Sequence, residues 1–264
     1  MMIRVLVCGA YGKMGREVLK AVYKDDQLSI VGAVDVNSDF SDVGDLIGVG
    51  KTGIIVGNDL QMVINETKPQ VMVDFTNPSA VMNNIKIAIE NGVCPVVGTT
   101  GLSEDDVSQL RNLCKNTKVN ALISPNFSIG AILMMKLAQD AAKFLPNVEI
   151  IEMHHDQKLD APSGTALRTA ELIAENRGYL RQGHPAEMEK LPGARGGELS
   201  GIRIHSVRLP GYVAHQEVIF GGLGQTLSIR HDSISRESFM PGVVLACKKA
   251  LTLDGLVFGL EHIL

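Results

Sequence analysis

Ile3-Arg4-Val5-Leu6-Val7-Cys8-Gly9-Ala10-Tyr11-Gly12-Lys13-Met14-Gly15 decides the fold. Ile3 to Cys8 is an apolar run of the kind a strand buried in a parallel sheet requires. The glycines after it, spaced G-x-x-G-x-x-G, permit a tight turn, close approach of backbone to a pyrophosphate, and close packing of the next helix on the strand. Helical periodicity follows from Lys13 to Tyr23, and Ser29 to Asp35 is a second apolar strand. Asp35 lies twenty residues beyond Gly15, where a carboxylate can accept bonds from ribose hydroxyls. Such a glycine set alone is an ordinary strand–helix turn; with Asp35 in place it reads as a dinucleotide-binding fingerprint.

Working outward, helices are predicted at Leu60 to Glu66, Ser79 to Glu90 and Glu104 to Cys114, the last started by Ser103. Strands are predicted at Val71 to Phe75, Cys94 to Val97 and Val119 to Ile123. Strands alternating with helices specify an α/β, Rossmann-type doubly wound parallel sheet with right-handed crossovers. Ligands of such sheets bind outside the carboxyl ends of the strands. The loops there are Asp74-Phe75-Thr76, Gly98-Thr99-Thr100-Gly101 and Ser124-Pro125-Asn126-Phe127. The candidate cofactor-binding residues are therefore Gly9, Ala10, Tyr11, Gly12, Lys13, Met14, Asp35, Phe75, Gly98, Thr99, Thr100, Ser124, Pro125, Asn126 and Phe127.

The rhythm changes after about Asn126. Ile129 to Leu145 reads as one long helix, apolar on most faces and so expected to be well buried. Val148 to Met153 is a strand. Tyr179 to Ser200 is polar and rich in Pro and Gly, as in a long surface loop. Ile202 to Arg208, Gln216 to Phe220 and Thr226 to His231 are strands between Gly-rich turns. This portion is expected to be α+β with a mixed or antiparallel sheet. Phe239 to Leu251 is helical again.

Between these parts lies the chemistry. Glu152-Met153-His154-His155-Asp156-Gln157-Lys158-Leu159-Asp160-Ala161-Pro162-Ser163-Gly164-Thr165-Ala166 leads into an amphipathic helix. Ser163 is its N-cap, and Gly164 and Thr165 offer backbone N–H groups at the positive end of the helix dipole, suited to a carboxylate or phosphate. Lys158 adds a cation. His154 and His155 are of the type that transfers protons near neutrality. A solvated loop before a capped helix is the plainer reading. Two histidines, His154 and His155, beside Asp156 could form a metal site, but no further ligand sits at a recognisable metal spacing, so no metal is expected.

Composition sets the bounds. With 264 residues and 45% hydrophobic content the chain is an ordinary globular protein of one large or two modest domains. A net charge of −4 argues against a nucleic-acid binder. Cys8, Cys94, Cys114 and Cys247 are scattered without a C-x-x-C pair, like small apolar residues in a reducing compartment. No apolar run is long enough to span a bilayer, and the opening residues do not form a signal peptide, so a cytoplasmic protein with no membrane partner is expected.

These motifs together resemble the dihydrodipicolinate reductase (4-hydroxy-tetrahydrodipicolinate reductase) family over essentially the whole length. The resemblance rests on Gly9 to Gly15, Gly98 to Gly101, Asn126-Phe127-Ser128-Ile129-Gly130 and above all Glu152 to Ala166. Arg208, Gly211, His215, Val218, Phe220, His231, Ser235, Arg236 and Phe239 continue it. It implies a dinucleotide domain of residues 1–126 and 237–264, and a substrate-binding and tetramerisation domain of residues 127–236 inserted between them, in a homotetramer. It implies NADH or NADPH as cofactor and a small cyclic dicarboxylate as substrate. His154 then takes the acid/base position and Lys158 that of the proton donor; His155, Gly164 and Thr165 match substrate-binding positions, and Ser163 caps the same turn. Members favouring NADPH often carry Arg after the acidic residue, whereas Val36 follows Asp35 here, so NADH is expected to be used well. The competing readings are another two-domain dehydrogenase acting on an amino-acid-like substrate, a non-catalytic dinucleotide sensor, and a metal-dependent hydrolase.

Overall fold

The structure is a computed structural model describing residues 2–178 and 180–264; Tyr179, at the start of the expected surface loop, lies outside the described residues, as does Met1. Its chain divides into two compact units, Met1–Ile129 with Phe239–Leu264, and Gly130–Ser238.

In chain order the first unit runs β1 (Ile3–Cys8), α1 (Lys13–Lys24), β2 (Leu28–Val34), α2 (Val43–Ile47), β3 (Val56–Gly57), α3 (Leu60–Thr67), β4 (Val71–Asp74), α4 (Pro78–Glu90), β5 (Cys94–Val97), α5 (Glu104–Thr117) and β6 (Ala121–Ile123). The second holds α6 (Ile129–Ala141, beginning at the boundary), β7 (Asn147–His154), α7 (Gly164–Arg177), β8 (Gly197–Leu199), β9 (Ile202–Arg208), β10 (Ala214–Gly222) and β11 (Gln225–Ser233). The chain then returns to the first unit with α8 (Met240–Lys249) and β12 (Leu256–Phe258).

The first unit is built on a seven-stranded sheet ordered β12-β6-β5-β4-β1-β2-β3, in which every neighbouring pair is parallel. This is the doubly wound order, with its reversal between β1 and β4. Val5, Leu6, Val7 and all of β4 except its terminal Asp74 are apolar and fully shielded, because helices cover both faces of a parallel sheet. In α1, Gly15, Val18, Leu19 and Val22 are buried at helical spacing. α5 starts as expected: the Ser103 side chain accepts from the Asp106 amide while Asp106 answers the Ser103 amide, a capping box. An ion pair of 2.8 Å between Lys248 and Asp25 ties α8 to the end of α1.

The second unit holds a five-stranded mixed sheet ordered β11-β10-β7-β9-β8. β7 and β9 are parallel, and the other pairs are antiparallel. Alternation buries Val148, Ile150 and Glu152 of β7 and Gln216, Val218 and Phe220 of β10.

Two expectations are corrected. The helix expected over 129–145 ends at Ala141 and passes into turns, and Pro146, which bars the residue before it from the helical region, keeps the helix from resuming. It is also less buried than its composition suggested: Leu133 and Leu137 on α6, and Phe144 beyond it, are exposed in the single chain. The surface loop ends in a strand, β8, joined to β9 through Ser200 (φ 51°) and Gly201 (φ 75°). Positive φ at both turn positions twists a two-residue hairpin in the sense its strands need. Among the described residues no helix is long and apolar enough to cross a membrane.

Candidate active site

The first unit carries a cavity of 690 Å³ at the carboxyl ends of its strands. Gly9, Tyr11, Gly12, Asp35 and Phe75 of the expected cofactor residues line it, together with Val36 and a polar wall from Asn58 to Gln61. The glycine loop is built for close approach. Gly9 has φ 80°, and a Cβ on Gly15 would lie 2.0 Å from the Gly9 carbonyl oxygen, so neither position takes a side chain. Lys13 is exposed and Met14 half-buried at the start of α1.

Asp35, the residue after β2, is a buried carboxylate that accepts from the Tyr11 amide at 3.0 Å and the Asn37 amide at 3.0 Å. The phenol of Tyr11 donates to Asp39. Among the described residues no lysine or arginine lines the cavity, and Val36 is 79% exposed.

Asp74, part of a strand-end loop in the sequence but not among the cofactor candidates, ends β4. It is fully buried and accepts from the hydroxyls of Thr76 and Thr99, both at 2.7 Å, and from the Asn84 amide at 2.9 Å. Thr99 is thereby a fixed part of the strand ends, while Thr100 beside it is exposed. Phe75 and Phe127 pack with ring centroids 5.8 Å apart, and Gly98 leaves room for the Phe75 ring. Ser124 donates to the Asn126 carbonyl at 2.6 Å and accepts from the Leu260 amide, which shapes the turn through the exposed Pro125. Ala10 and Phe127 are buried outside the cavity wall. The residues present fit a dinucleotide: a glycine backbone turn for phosphate, an acidic residue past β2 for ribose, and a mixed polar and apolar wall.

The second unit brings the histidine segment together around one carboxylate. Glu152 is fully buried in β7. Its Oε2 meets His154 Nδ1 at 2.5 Å and accepts from Arg208 Nη1 at 2.9 Å. Its Oε1 accepts from Arg208 Nη2 at 2.7 Å and from the Ser163 amide at 3.2 Å. Burial pushes the Glu152 carboxyl up, but hydrogen bonding from His154, Arg208 and Ser206 outweighs it and holds the group at about 2. Parallel pairing of β7 with β9 sets His154 opposite Arg208, which is why residues so far apart in sequence meet.

Ser163 caps α7 as expected, its hydroxyl accepting from the Ala166 amide at 3.2 Å. Gly164 is exposed at the first position of the helix, with nothing within 4 Å of where a side chain would stand. Thr165 is half-buried beside it, and its carbonyl is bonded by Thr169. Lys158 Nζ pairs with Asp160 at 2.6 Å, and Arg208 reaches the Asp160 carbonyl at 2.7 Å. His155 is exposed in the same turn, its carbonyl accepting from the Lys158 amide at 3.2 Å. Imidazole, ammonium and the helix start at the exposed Gly164 thus sit on one short segment, a set able to hold carboxylates and move protons. Among the described residues no three His, Cys, Asp or Glu side chains gather as metal ligands. The Cys8 thiol is raised well above its ordinary range by burial and by Asp74 and Asp35, which suits packing and not nucleophilic work.

Known proteins place the chain. Residues 3–127 match the family pattern "Dihydrodipicolinate reductase, N-terminus", and residues 130–264 match "Dihydrodipicolinate reductase, C-terminus". The chain is 57% identical over 263 residues to 4-hydroxy-tetrahydrodipicolinate reductase of Desulfitobacterium hafniense (strain DSM 10664 / DCB-2), covering 99% of this chain and 98% of that one. It is 54% identical over 263 residues to the protein of that name from Halalkalibacterium halodurans, covering 100% of each. The solved structure of a dipicolinate-bound dihydrodipicolinate reductase from Paenisporosarcina sp. TG-14 superposes with a TM-score of 0.90 at 46% identity, covering 100% of both chains. With both halves matched and the identity sustained end to end, the chain belongs to the dihydrodipicolinate reductase family.

Proposed function

We propose that this chain reduces 4-hydroxy-tetrahydrodipicolinate to tetrahydrodipicolinate, adding a hydride and a proton while water leaves, in the biosynthesis of diaminopimelate and lysine. The observation that carries the reading is the joining of His154, Arg208 and the start of α7 through Glu152. A reduced nicotinamide dinucleotide bound by Gly9 to Met14, Asp35 and the strand ends of the first unit supplies the hydride.

The remaining work falls to this chain's side chains. The exposed start of α7 at Gly164 and Thr165, with His155, holds the substrate carboxylates by backbone donors and dipole. Lys158 Nζ delivers a proton to the carbon next to the one reduced, where negative charge builds as the hydride arrives. His154 exchanges a proton as the hydroxyl leaves as water. Ser163 keeps the turn in shape through its cap. The assembly proposed is a homotetramer and the location the cytoplasm; light scattering on the purified protein tests the first.

The decisive assay follows loss of reduced-nicotinamide absorbance while the preceding synthase makes the substrate in situ from pyruvate and aspartate semialdehyde. Rapid, substrate-dependent oxidation is expected. A protein that binds NADH but never oxidises it under these conditions overturns the reading in favour of a sensor.

A further inference from the structure

We propose that Glu152 is the positioning residue of this site. It turns the His154 ring so that Nδ1–H points inward and Nε2 is left for the substrate, and it locks the anion-holding turn of α7 to the same point, while Arg208 holds it in place. The inference rests on the reading of His154 as the acid/base group.

The geometry carries the assignment. A buried carboxylate persists only if its lone pairs are filled, and Glu152, fully buried, has four donors on its two oxygens. An Arg–Glu fork alone would satisfy a purely structural pair. Here each oxygen takes one guanidinium nitrogen and one further partner, and those partners are His154 and the amide of the α7 cap. An ionised carboxylate accepts and never donates, so the hydrogen of that short contact sits on His154 Nδ1. The fork from Arg208 and the amide of Ser163, together with His154, favour the ionised form of Glu152 against the push of burial. The imidazole therefore exchanges protons only through Nε2, the arrangement that carboxylate-oriented catalytic histidines use. Sequence spacing hides this, because Glu152 looks like one polar residue in a strand until β9 brings Arg208 alongside.

The test compares Glu152→Gln with the parent enzyme and with His154→Gln. In Glu152→Gln the side-chain oxygen stays with Arg208 and the amide NH2 faces His154, favouring the Nε2–H tautomer. Expected is a fall in kcat of roughly a hundredfold with KM for NADH unchanged, and partial recovery in Glu152→Asp. In ¹⁵N–¹H spectra of histidine-labelled protein with a neutral ring, the His154 signals, identified by their loss in His154→Gln, should report Nδ1–H in the parent and Nε2–H in Glu152→Gln. A kcat within threefold of the parent, or a loss of kcat with the tautomer unmoved, overturns the proposal. Should Glu152→Gln fail to fold, the parent spectrum decides, since a dominant Nε2–H form there is incompatible with the assignment. Full activity in His154→Gln would instead sink the acid/base reading itself.

Discussion

Gly98 lies so close beneath the ring of Phe75 that a Cβ added to it would stand 2.1 Å from a ring carbon. The glycine at the end of β5 is thus a requirement of the aromatic side chain at the end of β4. Gly98→Ala should push the Phe75 ring out of the cavity wall. The expected result is a rise of about tenfold in the Kd for NADH and a loss of about 1–3 kcal/mol in unfolding free energy from overpacking. Fluorescence titration with NADH and urea unfolding measure the two.

Cofactor choice turns on Asp35 and Val36. The Asp35 carboxylate would repel a 2′-phosphate, and the exposed Lys13 at the start of α1 is placed to offset only part of that repulsion. NADH should show the higher kcat/KM, and Val36→Arg should move the ratio towards NADPH by about tenfold through a guanidinium placed beside the phosphate. A parent enzyme that strongly prefers NADPH would contradict this.

Lys158 is only part-exposed and held by Asp160, a posture suited to aiming its ammonium. Lys158→Ala should lower kcat by roughly 10²–10³-fold, with KM for NADH little changed. An unchanged kcat with a raised substrate KM would leave Lys158 as a binding cation and remove its role as donor.

Acid should act on both units. Asp42 is brought to about 2 by the Thr52 amide, with burial opposing, and by the Gly44 amide, the Thr52 hydroxyl and the Gly53 amide. Glu152 is at about 2 as well. Both lie below the ordinary carboxylate values of 3.8 and 4.5, so their stabilisation is complete above about pH 5 and is lost as pH falls towards 2. From these two groups urea midpoints should drop steadily below about pH 5. Asp42→Asn should shallow that drop, and a midpoint that rises on acidification would refute the assignment.

Local signals in the sequence carried much of this architecture. The glycine loop after Cys8, the Ser103 capping box and the Ser163 cap are each set by residues a few positions apart. What stayed hidden depends on distant partners. β3 is two residues long and β12 three, and each exists through pairing with a strand already in place. β8 had a turn signal in Ser200-Gly201, but its strand residues sit in a polar stretch and are held by β9. Leu133, Leu137 and Phe144 looked like core because hydrophobicity does not say which face is covered. Glu152 and Asp74 were passed over for the same reason: a carboxylate in a strand declares its work only when its donors arrive from elsewhere in the chain.

The sheet of the first unit has a consequence for how the protein is made. β12 pairs with β6, yet the whole of Gly130–Ser238 is translated between them. A ribosome therefore releases a nascent chain in which the edge of β6 is bare while an entire second unit emerges. The inserted unit has every one of its strands in hand before its host does, so it is positioned to finish folding first. The host closes only when β12 caps that edge, which makes the interval between the two strands the stage of synthesis most open to mispairing and to chaperone capture.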